Sequence, residues 1–298
     1  MAQQIPVDPN CVVADEQSDG MMPVVPDVSY QRLMLVNVAY YGRPGAGAGG
    51  WVLIDAGVFG TYNTILGAAE RRFGTGARPA AIVLTHGHFD HVGALKDLAE
   101  HWDVPICAHE LELPYLDGRS SYPPPDPTVG GGMMAALSRF YPRGPIDVRQ
   151  WLQPLPSDGS VPGMPGFLWV HTPGHSPGHV SFWRSSDRTL IVGDTFITTA
   201  QESAYAVATQ EPELHGPPMY YTPDWESARQ SVERLAALEP ELIVPGHGRA
   251  LRGPRMLEAL RALARDFDQV AVPSQGRYVD VPVTADESGT VHVPPPAR

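Results

Sequence analysis

Three histidines and an aspartate fall within six residues of one another in Thr85-His86-Gly87-His88-Phe89-Asp90-His91, and the flanking residues fix where that cluster sits. Ala80–Thr85 is a short apolar run, as expected of a buried strand. From His91 to His101 the apolar residues Val92, Leu95, Leu98 and Ala99 recur at helical spacing. The cluster therefore occupies a strand-to-helix loop, where side chains converge on one point without distorting either element. Imidazole suits Zn, Fe, Ni or Cu, and a carboxylate among imidazoles also admits harder ions. A chain built round such a loop needs a sheet with helices against it.

The rest of the chain supplies both. Strand-like runs at Leu33–Tyr41 and Trp51–Asp55 flank the Gly-rich stretch 43–50, and a helix is predicted over Thr61–Phe73, ending at Gly74. Val104–Ala108, Gly166–His171, Val180–Arg184, Thr189–Val192 and Leu242–Val244 read as strands, Trp225–Leu238 and Pro254–Phe267 as helices. Strands followed by strand–helix units, twice over, predict two sheets between layers of helices. One domain over 1–298 is expected, with an irregular N-terminal arm at 1–29, a Pro/Gly-rich insertion at 110–150 holding a short helix near Met133–Phe140, and a C-terminal extension at 254–298 with weak strands at Tyr278–Val283 and Thr290–Val293.

Composition narrows the partners. A net charge of −12 argues against a nucleic-acid backbone, which needs a basic footprint. It fits a neutral or partly hydrophobic small molecule. No apolar stretch reaches the ~18 residues that suggest a membrane span. Met1–Pro6 has no basic region leading into an apolar run, so a cytoplasmic location is expected. Two cysteines, Cys11 and Cys107, make no disulfide framework and read as isolated thiols. Nothing bars a homodimer.

Three further segments carry chemistry: His171-Thr172-Pro173-Gly174-His175-Ser176-Pro177-Gly178-His179 between two strands, Val192-Gly193-Asp194-Thr195 after another, and Pro245-Gly246-His247-Gly248 after a third. With the first cluster, in this order, the chain resembles the metallo-β-lactamase-fold hydrolases over about residues 30–250; Leu53-Ile54-Asp55-Ala56-Gly57 and Thr172-Pro173-Gly174-His175 support the match. The resemblance implies an αββα sandwich of two mixed sheets with two divalent metals at one edge, Zn first and Mn or Fe as alternatives. His86, His88 and His175 would hold one, Asp90, His91 and His247 the other, and Asp194 would bridge them. A hydroxide between such metals would attack a lactone, ester or thioester, with Asp90 orienting it and carrying its proton. Asp55 would orient a ligand imidazole.

The subfamily stays open. Asp194 stands where one class of β-lactamases has Cys. Ile197 stands where acyl-homoserine lactonases have a Tyr donor, and no basic glutathione-binding region follows His247. A mononuclear iron sulfur dioxygenase and a phosphotriesterase- or β-lactamase-like hydrolase remain alternatives; a binding protein that kept the fold is disfavoured by the intact ligand set. His179, His109 and Cys107 read as structural. Tyr115, Tyr122, Phe140 and Tyr141 of the insertion, with His215, Met219, Tyr220 and Tyr221 in the later stretch Tyr205–Trp225, are the candidate walls of a substrate pocket.

Overall fold

Strand β1 (Ile5–Pro6) precedes a seven-stranded sheet in which β2 (Met22–Val25), β3 (Val28–Leu33), β4 (Val36–Tyr41), β5 (Val52–Ile54), β6 (Ile82–Val83), β7 (Ile106–Ala108) and β8 (Leu152–Pro154) lie side by side in chain order. Pairing is antiparallel from β2 to β5 and parallel from β5 to β8. The second sheet uses β9 (Phe167–His171), β10 (Val180–Arg184), β11 (Thr189–Gly193), β13 (Leu242–Pro245) and β14 (Leu251–Arg252) in the order β14-β13-β11-β10-β9, while β12 (Glu213–Leu214) pairs with β1. The helices are α1 (Tyr62–Phe73), α2 (Leu95–Trp102), α3 (Leu113–Leu116), α4 (Met133–Leu137), α5 (Ala204–Thr209), α6 (Trp225–Ala237), α7 (Pro254–Arg265) and α8 (Phe267–Val270). This computed structural model describes residues 5–13 and 19–296.

Period-two alternation sorts the strands into layers. Leu53, Ile82 and Ile106 face α1 and α2, packing with Ile65, Phe73, Leu95 and Leu98. Their neighbours Val52, Ile54, Val83 and Cys107 face the other sheet and meet Phe182, Ile191, Leu242 and Val244. On the far side Leu190, Val192 and Ile243 pack beneath Val232, Leu235, Leu260 and Leu263 of α6 and α7. Three apolar layers between helix, sheet, sheet and helix make the αββα sandwich. Phe73 stacks on Trp51 with ring centroids 4.5 Å apart, so truncating it to Ala should cost ~3–5 kcal/mol. Asp224 caps α6 by accepting from Ser227 N–H at 3.0 Å, an interaction of ~1 kcal/mol.

Several expected elements differ. Leu33–Tyr41 is no single strand: Met34 takes a left-handed turn (φ 61°), and Leu33 pairs back onto Val36. The helix expected from His91 begins only at Leu95, because His91 N–H bonds His88 O and Ala94 N–H bonds Ala56 O, keeping 91–94 in the loop. The 1–29 arm is partly regular: β2 forms the edge of the first sheet and β1 pairs with β12, while residues 1–4 and 14–18 lie outside the described ones. The tail hairpin is β15 (Thr284–Asp286) with β16 (Gly289–His292), and Tyr278–Val283 is no strand. The 110–150 insertion contains α3 and α4, the latter continuing as a 3-10 turn at Ser138–Phe140.

Candidate metal centre

Asp55, the His86–His91 loop, Asp194 and His247 follow the carboxyl ends of β5, β6, β11 and β13, and His175 lies on the β9–β10 turn. These ends meet. His86, His88 and His175 bring three ring nitrogens within 4.8 Å of one another, as Asp90, His91 and His247 do with one ligand atom each, and as His86, His91 and Asp194 do. Asp194 Oδ2 stands 3.0 Å from His247 Nε2, 3.4 Å from His175 Nε2 and 3.5 Å from His91 Nε2, so one carboxylate touches both groups. Asp90 Oδ2 lies 3.5 Å from His247 Nε2. All seven side chains are buried.

Hydrogen bonds on the far side of three rings, those of His86, His91 and His247, decide which of their nitrogens is free. His91 Nδ1 faces Asp55 Oδ2 at 2.9 Å, which places its proton there and leaves Nε2 a lone pair. His247 Nδ1–H donates to Leu35 O at 2.5 Å. Thr85 Oγ1 donates to Asp55 Oδ2 at 2.8 Å and so accepts from His86 Nδ1–H at 3.0 Å. Among the described residues His86 Nε2, His91 Nε2 and Asp194 Oδ1 are buried without a hydrogen-bond partner. Orphaned buried acceptors are costly and rare; divalent cations would satisfy all three, and the histidine-carboxylate donor set suits them.

Charge is divided to match. Burial, reinforced by the neighbouring imidazoles, holds His86 and His175 well below the usual histidine range and His88 at about 3, so these three stay neutral. Burial opposes charge on His91 and His247 too, but Asp194 with Asp55 or Asp90 raises both, favouring a second proton on Nε2 that a bound cation would displace. Burial would lift the Asp194 carboxyl, yet His247 and His91 hold it well below the carboxylate range, whereas burial does push Asp90 up.

Neighbours set the loops. Asn37 Nδ2 donates to Pro245 O at 2.9 Å and Gly248 O at 2.7 Å, pinning the turn that carries His247. Within that turn a Cβ on Gly246 would lie 2.1 Å from Asp194 Oδ1, so only glycine permits the approach. His179 takes the structural role expected of it, accepting from Asp194 N–H at 2.9 Å. His109 stacks on His171 at 4.2 Å, and both cysteines are buried and free.

The candidate pocket residues separate. Tyr122 packs edge-on to His88 at 4.5 Å, and Tyr141 lies 5.3 Å from Phe89 and 6.2 Å from the buried Tyr220. Tyr115 stacks behind Tyr122 at 3.9 Å and shares a hydrogen bond with Thr290, so it backs this wall instead of lining it. Phe140 points to solvent with the Arg139 guanidinium over its ring, because the 3-10 turn there exposes it. His215 is buried, its backbone bridged to Ile197. Sequence reasoning named Tyr221 only as one aromatic of a possible pocket wall, and it missed Glu112. Tyr221 stacks on His88 at 4.7 Å with its buried hydroxyl unpartnered among the described residues, and Glu112 is buried against both histidine loops. Surface grooves of about 460 and 420 Å³ lie elsewhere and include none of the seven residues. No helix among the described residues is long and apolar enough to cross a membrane.

The family model of the metallo-beta-lactamase superfamily matches residues 34–247. A Bacillus subtilis (strain 168) protein called the probable metallo-hydrolase YflN is 46% identical over 220 residues, covering 74% of this chain and 83% of the relative. The fold is shared with a beta-lactamase domain protein from Burkholderia ambifaria (TM-score 0.57, 21% identity, 87% of this chain and 76% of that one). It is shared too with a metallo-beta-lactamase family protein, TTHA1429, from Thermus thermophilus (TM-score 0.55, 19% identity, 83% and 81%). With the family model spanning the whole run from Met34 to His247, the chain belongs to the metallo-beta-lactamase superfamily.

Proposed function

We propose that this hydrolase cleaves a lactone, ester or thioester of a neutral, partly hydrophobic molecule, with two divalent cations, zinc first among them, held by His86, His88 and His175 and by Asp90, His91 and His247. The observation that carries the reading is Asp194, whose Oδ2 reaches imidazoles of both groups while its Oδ1 has no partner among the described residues. Such a pair supplies a hydroxide at neutral pH and polarises the scissile carbonyl. Asp90, its pKa raised by burial, is suited to take a proton from the attacking water and return it to the leaving group. Tyr221 offers the hydroxyl that Ile197 cannot, an O–H that would donate a hydrogen bond to the developing oxyanion. Exposed Met34 adjoins Leu35, whose carbonyl holds His247, and exposed Phe59 follows the Asp55 loop, two apolar side chains that support a partly hydrophobic substrate. A sulfur dioxygenase with a single iron would keep a similar ligand set, so metal content separates the two readings.

Elemental analysis with a panel of lactones, thioesters, β-lactams and phosphotriesters tests this. Two Zn per chain and turnover of a lactone or thioester are expected. A single Fe per chain, or turnover of phosphotriesters or β-lactams only, would refute it.

A further inference from the structure

Glu112 ends a short 3-10 turn at Glu110–Glu112 and is 1% exposed. Its Oε2 accepts from Gly87 N–H at 3.0 Å and from the Tyr122 hydroxyl; its Oε1 accepts from Ser176 Oγ at 2.7 Å and from Gly178 N–H at 2.8 Å. Gly87 lies between His86 and His88, and Ser176 follows His175. Each oxygen thus holds one of the two loops that bear the first histidine triad. Glycine at 178 is part of the arrangement, since a Cβ there would come within 2.8 Å of Glu112 Cγ. The Tyr122 ring, tied down by the same carboxylate, rests against His88.

We propose that Glu112 is a positioning residue for the His86–His88–His175 cation site, clamping the two loops at the spacing the ion needs. This rests on reading the histidine cluster as a cation centre. Four donors and no acceptor surround the side chain, and only a carboxylate has lone pairs for all four. An amide cannot replace it. Whichever way Gln is turned, its NH2 faces the main-chain N–H of either Gly87 or Gly178, and neither can reverse as a hydroxyl can. One loop is then released. The Asp90–His91–His247 group makes no contact with this carboxylate and depends instead on Asp55 and Leu35 O. Glu112 should therefore govern one ion of the two.

The test is a Zn²⁺ titration of metal-free full-length protein against a chromophoric chelator, comparing wild type, Glu112→Gln and Asp55→Asn. In Glu112→Gln one of two Zn²⁺ should weaken about 10–100-fold while the other changes less than about threefold, whatever fall in metal-free melting temperature the released loop brings. Asp55→Asn should give a different pattern, weakening the ion at His91. A Glu112→Gln titration that superposes on wild type overturns the proposal, as does a lowered metal-free melting temperature with both affinities intact. Should that variant not fold, Tyr122→Phe combined with Ser176→Ala removes one donor from each oxygen; the same ion should weaken, and unchanged affinity overturns the clamp. Wild type that takes up no Zn²⁺ refutes the cation-centre reading itself, and is distinguishable from failure of the clamp alone.

Discussion

Asp55→Asn isolates a single proton. Asp55 sits at φ 62°, a left-handed conformation that Asn tolerates, so the backbone should accept the change. Its Oδ1 accepts from Thr85 N–H at 2.8 Å, and its Oδ2 from Thr85 Oγ1 at 2.8 Å and His91 Nδ1 at 2.9 Å. Asn can keep the first bond through its oxygen, but its NH2 then confronts His91 Nδ1–H. The imidazole escapes by moving its proton to Nε2, the nitrogen turned towards Asp194 and the proposed ion. Ligation then requires the unfavourable tautomer, at a cost near that of one charge-assisted hydrogen bond, ~1.5–3 kcal/mol, or roughly 10–150-fold in affinity. Substitutions of residues that orient ligands show a similar 10–100-fold range. Chelator competition reads the affinity directly, and denaturant unfolding of the metal-free protein separates it from folding. Wild-type affinity for both ions in Asp55→Asn would show that the tautomer argument is wrong.

Asp90→Asn keeps a ligand oxygen but loses the proton acceptor, so kcat should fall roughly 10²–10⁴-fold with at least one ion retained; a change confined to KM would remove Asp90 from proton transfer. Tyr221→Phe removes one buried, unpartnered hydroxyl and should lower kcat about 10²-fold at unchanged metal content; undiminished kcat on the best substrate would exclude it as an oxyanion donor. His109 is held to a pKa of about 4 by burial and by His171, and its Nδ1 accepts from Leu111 N–H at 3.2 Å. Below pH 6.5 the unfolded chain gains a proton that the folded one refuses until about pH 4, so stability should drop through that window. His109→Gln should flatten this slope in urea unfolding measured from pH 7 to pH 4, and parallel slopes would count against it.

What was legible in the sequence is what local pattern encodes. Val180–Arg184 reads as a strand and is one over those same residues; the helix expected over Trp225–Leu238 forms as Trp225–Ala237. All seven clustered residues sit in short motifs beside strands; spacing alone exposed the His86–His91 cluster, and the family resemblance picked out His175, Asp194 and His247. The misses have non-local causes. Nothing in Leu33-Met34-Leu35-Val36 looks like a turn, and the hairpin there is imposed by β3 and β4 pairing in the sheet. Glu112 lies in an unremarked Glu-Leu-Glu stretch, and its partners are 10 to 66 residues away. Tyr221 was legible only as one aromatic among the residues of 205–225, because only tertiary packing decides which ring meets His88.

The same polar contacts that orient the site also answer a problem of register. β6 has only two residues, with Ile82 facing the helices and Val83 facing the second sheet, and both sides are apolar. A one-residue slip would exchange two similar side chains between two oily layers, so hydrophobicity resists it weakly, unlike in a strand with one wet face. The slip would nonetheless carry Thr85 away from Asp55 and move His86 and His91 off their partners, stranding a buried carboxylate. β13 is likewise buried along its length, and there Asn37 reads the register through Pro245 O and Gly248 O. Leaving such buried groups unsatisfied costs ~1–3 kcal/mol each, more for a charge. That exceeds what distinguishes Ile from Val in a core. The first sheet supplies His86, His88, Asp90 and His91, the second His175, Asp194 and His247, so neither sheet alone completes either group of three around its proposed ion. Asp55 and Asn37 therefore act on fold and site together: a chain in which they are satisfied has both strands in register, and only that register brings the seven side chains to one place.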